Sequence, residues 1–302
     1  MIHILALVGV LSISFSAVFV RLALVSPVTA TLYRGAYAVP VLALVWLAGR
    51  SGDRRTRRER VLAFAAGLFL AADLDVWHES IALVGAGLAT VLANVQIVFV
   101  AFLGWAFHRE RPTPRAIVMI AVMLVGVALT SGLARGDAYG TNPVAGAAFG
   151  VAAGACYSGF LLLFRASNRS LAPTAGPLLD ATLGMLAGGL ASIPFDPKFA
   201  FITPWPATLW LILLALVSQV IGWLLIARAL PRLPAVETSV LLLAQPVFAI
   251  VWGIVFFAEH PSPLQWVGSA IVLAGVPVLS MMRVVATDQR LTTDDQRPTT
   301  ND

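Results

Sequence analysis

The sequence is poor in charged residues and has long stretches that contain none. Of its 302 residues, 12% are charged and 59% are hydrophobic, whereas a soluble globular protein carries about 25% charged residues. This shortfall excludes an ordinary soluble fold and indicates several membrane spans. The apolar run from Ile4 to Leu24 lacks a basic leader and a small-residue cleavage site. We therefore predict a retained first span and not a signal peptide.

Cysteine is almost absent as well. Cys156 is the single cysteine, which excludes an internal disulfide and a thiolate metal cluster. We therefore expect neither a metal nor a cofactor. The net charge of +5 comes from arginines in short loops, so it indicates membrane orientation and gives no reason to expect a nucleic-acid partner.

Ten apolar segments are long enough to cross the bilayer, which takes about 20 residues for about 30 Å of hydrocarbon. None shows the alternating pattern of a barrel strand, so we predict helices. Residues 284–302 are rich in Asp, Thr and Gln, which predicts a disordered cytoplasmic tail. The ten segments are 3–24, 27–48, 61–84, 86–107, 115–133, 143–165, 173–194, 207–228, 233–257 and 263–283.

The distribution of Lys and Arg predicts the direction of these segments. The loops after segments 2, 4, 6, 8 and 10 hold six, three, two, two and three basic residues, which is sixteen of the twenty in the chain. The loops on the other face hold Arg135 and Lys198 only. Because cytoplasmic loops collect basic residues, we predict that both termini lie in the cytoplasm.

A long internal repeat relates the two halves of the chain. Residues 96–131 match residues 245–280 without a gap, and fourteen of the 36 positions are identical, among them Gln96/Gln245, Glu110/Glu259 and Pro112/Pro261. Each half then has five segments, and an odd number reverses direction in the membrane. The predicted fold is an all-α integral membrane protein of ten transmembrane helices, built from two inverted five-helix repeats at 1–138 and 139–283.

Inverted repeats are typical of secondary transporters, whose substrate site lies near the bilayer midplane between the halves. We therefore favour a transporter, and a duplication with a purely structural role is left open. Alternating access would follow from rocking of one half against the other.

The repeated segments also resemble a known group of transporters. The stretches "ERPTPRAIVMIAVMLVGVAL" and "EHPSPLQWVGSAIVLAGVPVL" are similar to the Glu-x-Pro signature of the drug/metabolite transporter superfamily, in its EamA-type ten-helix branch. The resemblance implies export of metabolites, amino acids or drugs across the bacterial inner membrane, with an amino-acid exporter of the YddG type foremost. Two departures are the missing first-helix tryptophan and Ile97, where a proline is usual; Pro246 keeps that proline in the second copy.

Ionisable residues inside the third segment are the first candidates for a site. The stretch "DLDVWHES" places Asp75, His78 and Glu79 near one another on a helix, and each charged group in a bilayer costs at least about 2.5–3.5 kcal/mol. We expect Asp75 and His78 to line the cavity and Glu79 to form a structural ion pair with Arg34, with Asp75 as the other possible partner of Arg34. Pairing of these acids with Arg21 is a further alternative. Asp73 lies on another face and is expected not to touch substrate.

Other polar or amphipathic residues within spans complete the set of cavity candidates. Gln96 and Gln245 are equivalent in the repeat, so we expect them near the pseudo-two-fold axis, either against substrate or between helices. The remaining candidates are Ser16, Asn94, Tyr157, Ser158, Gln219 and Trp223.

The function predicted from these observations is export of small metabolites, foremost amino acids with aromatic ones among them. The alternative is a facilitator of drug or quaternary-ammonium efflux, and proton coupling through His78 is left open. A membrane-embedded enzyme is the remote alternative. Asp73-x-Asp75 resembles a diphosphate-binding acid pair, but no second acidic motif and no Gly-x-Ser-x-Gly motif is present. The partners expected are a small solute and the lipid bilayer.

Overall fold

A computed structural model describes residues 2–96, 98–100, 102–103, 114–130, 139–167, 175–229, 242, 244–275 and 278. These residues are largely helical and contain no strand. The predicted tail at 284–302 lies outside them. The helices are α1 (Ile2–Ser14), α2 (Ser16–Ala23), α3 (Pro27–Gly49), α4 (Arg57–Val84), α5 (Ala86–Ala93), α6 (Pro114–Thr130), α7 (Pro143–Ser167), α8 (Ala175–Ser192), α9 (Ala207–Leu213), α10 (Trp223–Ala229), α11 (Ala244–Phe257) and α12 (Pro263–Gly275).

Within the described residues, six helical stretches are long and apolar enough to cross a membrane. They are His3–Ala23, Pro27–Gly52, Arg57–Val84, Pro143–Ser167, Ala175–Phe195 and Ala207–Arg228. The shorter apolar helices α5, α6, α11 and α12 overlap the four other predicted segments. Large apolar side chains such as Leu44, Phe69 and Val255 are exposed, as expected for a surface that lipid covers. The chain is therefore an all-helical protein with multiple membrane helices.

Local sequence signals set where the helices begin. Ser26 caps α3 by accepting a hydrogen bond from the Thr29 backbone N–H at 3.3 Å, and Pro27 occupies the first helical position, where its missing N–H costs nothing. Thr56 and Glu59 form a reciprocal capping box at the start of α4, which satisfies two of the free N–H groups there.

Helix α4 packs closely against α8 through two glycines. A Cβ on Gly67 would lie 1.9 Å from the backbone oxygen of Ala181, and a Cβ on Gly184 would lie 1.9 Å from that of Phe64. Only glycine allows two backbones to approach so closely, and small residues are the usual contact between membrane helices. On another side, α4 packs against α7, where the Ser80 hydroxyl donates to the Gly146 backbone oxygen at 2.7 Å.

The stretch Ala207–Arg228 changes its winding halfway along its length. Helix α9 continues into a π-helix at Leu214–Gly222, and α10 follows directly. A π-helix is rare and is frequently found at a functional site. This one carries Gln219, whose side chain is fully buried.

Candidate functional site

A cavity of about 110 Å³ lies among helices α1 to α5, α7, α10 and α11. It is large enough for several water molecules, and its walls combine apolar, aromatic, amide and charged side chains. The lining residues are Ile13, Ser16, Arg34, Leu70, Asp73, Leu74, Trp77, Thr90, Ala93, Asn94, Gln96, Tyr157, Leu161, Trp223, Leu242 and Gln245.

Arg34 brings a positive charge into this cavity from α3. Its side chain is buried, and two neutral groups hold it: Nε donates to Gln219 Oε1 and Nη1 donates to Ser16 Oγ, both at 2.8 Å. Neutral acceptors orient a guanidinium without cancelling its charge. The structure thus gives Arg34 partners other than the Glu79 carboxylate expected from the sequence, and Glu79 itself is exposed.

Asp73 brings the opposite charge to the same cavity from α4. It is buried and interacts electrostatically with Arg34, but no ion pair joins the two among the described residues. Because Asp75 lies on a different side of the helix, the sequence predicted that the face of Asp73 would not touch substrate. The structure shows that Leu70, Leu74 and Trp77 on that face form the cavity wall.

Asp75 and His78 point to other neighbours and are not among the lining residues. Asp75 faces Thr31 and Ser192, on α3 and α8. The His78 ring is buried, and its Nδ1 donates to the backbone oxygen of Pro27 at 3.3 Å. Both side chains therefore lie where α4 packs against its neighbours, and whether either one contacts substrate stays a prediction.

Six of the ten cavity candidates from the sequence do line the cavity: Ser16, Asn94, Gln96, Tyr157, Trp223 and Gln245. Gln219 lies behind Arg34, and the Ser158 hydroxyl donates to the Ala155 backbone oxygen of its own helix at 2.6 Å. Sequence reasoning missed Trp77 and Thr90 and set Asp73 aside. The sequence signal that could have revealed Asp73 is its position one helical turn before Trp77, within the same membrane span.

Trp223 and Tyr157 line the cavity and belong to an aromatic cluster that extends behind its wall. The indole of Trp223 meets the Phe160 ring edge-on at 5.3 Å and 84°, and the rings of Phe164 and Tyr157 lie 6.4 and 6.5 Å from it. Edge-to-face packing of this kind fixes ring orientation. The wall can therefore contact an apolar or aromatic group of a solute.

Arg21 pairs with Glu259, which belongs to the repeated Glu-x-Pro signature. Glu259 is buried, and it also accepts hydrogen bonds from the backbone N–H groups of Ala86 at 2.8 Å and Gly87 at 3.3 Å. It therefore caps the first turn of α5 from a distant part of the chain. The Arg21 guanidinium also lies 4.2 Å from the centre of the Phe257 ring. The structure thus gives Arg21 a partner outside the third segment.

A second charged cluster joins the loop after α3 to α8. Arg55 donates to Asp53 at 2.9 Å and to Asp180 at 2.7 Å, and the Trp46 indole N–H donates to Asp53 at 2.8 Å. The Arg55 guanidinium holds the pKa of the Asp53 carboxyl well below its usual range. This cluster lies outside the cavity and is structural.

Comparison with known proteins agrees with this architecture. The model of the EamA-like transporter family matches residues 1–132 and again residues 144–281. An uncharacterized transporter of Archaeoglobus fulgidus is 27% identical over 90% of this chain and 95% of its own length. A probable terminal-alkyne amino-acid exporter of Streptantibioticus cattleyicolor is 30% identical over 80% of each chain.

The fold is also shared with a protein of known structure. One crystal structure covers 94% of this chain and 98% of its own, with a TM-score of 0.63 and 18% identity, so the likeness concerns the fold alone. The family matches span nearly the whole length of the apolar helices and both copies of the repeated signature. The chain therefore belongs to the EamA-like transporter family, within the drug/metabolite transporter superfamily.

Proposed function

We propose that the protein exports amino acids across the membrane, using the cavity between Arg34 and Asp73 as the substrate site. The observation that carries this proposal is the presence of two opposite charges in one largely apolar cavity without an ion pair between them. An amino-acid zwitterion carries the complementary pair of charges.

The chemistry of the lining residues fits each part of such a solute. Arg34 uses two N–H groups for Gln219 and Ser16, and a guanidinium has five, so others are available to a carboxylate. Asp73 would accept from the ammonium group. The apolar wall around Trp77 and Trp223 would contact the solute's side chain, which favours apolar and aromatic amino acids.

Residues at the edge of the cavity have secondary roles in this proposal. Asn94, Gln96 and Gln245 would hydrogen-bond polar atoms of the solute, and Tyr157 would contact its side chain. Asp75 and His78 would hold helices together instead, and Ser158 would bond within its own helix. The description of one relative as a probable terminal-alkyne amino-acid exporter supports amino acids as the substrate class.

We further propose that the solute crosses by alternating access within a ten-helix inverted repeat. The domains would be residues 1–138 and 139–283, with both termini in the cytoplasm and the protein in the bacterial inner membrane. The two separate matches of the family model support a division into halves. The short helices α5, α6, α11 and α12, which overlap the remaining apolar segments, support the count of ten.

Efflux of quaternary-ammonium compounds is the second candidate. Asp73 beside aromatic rings is a favourable site for an organic cation. Arg34 argues against it, because a second positive charge in the same cavity repels such a solute. An organic cation that outcompetes amino acids in transport would favour this alternative.

The test is flux of labelled amino acids from preloaded proteoliposomes. Asp73→Asn and Arg34→Gln should each lower export by about 10-fold or more, because a charge-assisted hydrogen bond contributes about 1.5–3 kcal/mol. Asp75→Asn is the matched control, since this acid is on the same helix but does not line the cavity. Saturable amino-acid flux that both Asp73→Asn and Arg34→Gln leave intact would contradict the proposed site.

A further inference from the structure

Two polar residues behind Arg34 have no place in the cavity itself. Gln219 on the π-helix and Thr182 on α8 are both completely buried, and neither is a lining residue. Burying an amide and a hydroxyl is costly unless each is hydrogen-bonded. Their bonds form one chain that ends at Arg34.

The donor and acceptor in each of these hydrogen bonds can be assigned, starting from Thr182. The Thr182 hydroxyl donates its single hydrogen to the backbone oxygen of Leu178 at 2.7 Å. Its oxygen can then only accept, and it accepts from Gln219 Nε2 at 3.2 Å. With the amide nitrogen facing Thr182, the amide oxygen faces Arg34 and accepts from Nε at 2.8 Å.

The reverse orientation of the Gln219 amide is excluded by this arrangement. A flipped amide would place its NH₂ group against the Arg34 Nε–H, so that two donors would face each other, and would place its oxygen against the oxygen of Thr182. An asparagine or glutamine side chain has one acceptor side and one donor side. The Arg34 Nε–H and the Thr182 oxygen therefore both require the same orientation of the Gln219 amide, and Thr182 fixes its second end.

We propose that Thr182, acting through Gln219, is a positioning residue for substrate recognition: it holds the Arg34 guanidinium in the orientation that binds the solute's carboxylate. This inference rests on the proposed function. Thr182 touches neither the cavity nor Arg34, so its effect on substrate is exerted through the Gln219 amide. Ser16 holds the guanidinium at Nη1, and Gln219 provides the second point that prevents rotation about the first.

The test compares Thr182→Val with Thr182→Ser. Valine has nearly the shape of threonine but no hydroxyl, so the Gln219 amide keeps only its bond to Arg34 and can shift together with the guanidinium; serine keeps the hydroxyl. Thr130→Val is the matched control, because Thr130 is equally buried and its hydroxyl makes the same bond within its own helix, to Gly126 at 2.9 Å. All variants are first compared for monodispersity and thermal unfolding in detergent.

The measurement is concentration-dependent flux of a labelled amino acid in proteoliposomes, with inhibition by the corresponding amine, which lacks the carboxylate. Thr182→Val should raise KM about 10-fold, the change that about 1.4 kcal/mol produces, with maximal rate nearly unchanged. Inhibition by the amine should stay as in the wild type, and Thr182→Ser should restore KM.

Three outcomes are distinguishable. The positioning role is overturned, while amino-acid export stands, if Thr182→Val has the same KM as Thr130→Val. It is also overturned if Thr182→Val weakens binding of the amino acid and of the amine equally. If the wild type shows no saturable amino-acid flux, the proposed function fails and this inference fails with it. A selective rise in KM that serine reverses supports it.

Discussion

At the scale of single residues, the structure stabilises charges inside the membrane in two different ways. Arg34 keeps its charge among neutral acceptors and faces a cavity. Glu259 has its charge compensated by Arg21 and by two backbone N–H groups of α5. The first arrangement leaves a charge available to a ligand, whereas the second uses it to join distant parts of the chain.

Glu259→Gln should therefore lower stability. The amide keeps one acceptor oxygen but loses the charge that pairs with Arg21, and a hydrogen bond to a charged group contributes about 1.5–3 kcal/mol; the partial exposure of Arg21 reduces this toward about 1 kcal/mol. Thermal unfolding in detergent checks it. Glu79→Gln is the control, since Glu79 is exposed, and equal effects of the two changes would contradict the interpretation.

The Asp53 carboxyl predicts a dependence of stability on pH. Because its pKa is lowered in the folded state, it contributes stability above its ordinary pKa of about 3.9, and that contribution is lost as pH falls further. Unfolding temperatures of the wild type and Asp53→Asn should differ at pH 7, and the difference should begin to shrink below about pH 4 and go on shrinking as pH falls through the lowered pKa of the folded state. A difference that is the same at pH 7 and at about pH 2 would contradict this role.

At the scale of helices, the contact of α4 with α8 depends on glycine. Gly184→Ala would place a methyl group within 1.9 Å of the Phe64 backbone oxygen, so the helices must separate. Overpacking of this kind costs about 1–3 kcal/mol or more, and we expect a lower unfolding temperature and a smaller folded fraction. Gly49→Ala is the control, because nothing lies within 4 Å of that position. Equal stability of the two variants would refute the close contact.

The helices themselves were largely predictable from the sequence, because hydrophobic length sets a span. All six long helices begin and end near the predicted boundaries. The site was less predictable. The stripe of Leu70, Leu74 and Trp77 has the composition of a lipid-facing surface, and periodicity cannot distinguish lipid from an apolar cavity. Gln219, one of the two partners of Arg34, lies 185 residues away along the chain, and Glu259 lies 238 residues from Arg21. Counting residues from the membrane surface does not reveal such pairs.

At the scale of the whole molecule, the proposed topology predicts which loops are accessible from each side. In a Cys156→Ala background, a cysteine replacing Ser51 should react with an impermeant maleimide only from the cytoplasm, and one replacing Lys198 only from outside. Both positions are exposed, so lack of access cannot mask the result. Labelling of the two sites from the same side would overturn the inverted topology.

The packing of α4 also constrains how the protein is made. Helix α4 contacts α7 and α8, which the ribosome completes about 100 residues later. At about 5–20 residues per second, that delay is about 5–20 s. During this interval Asp73 and Asp75 are already in the membrane, but their final surroundings have not been synthesised. We therefore expect the early chain to be more exposed to membrane quality-control proteases than the complete protein, and a nascent chain that stalls after α6 to be degraded.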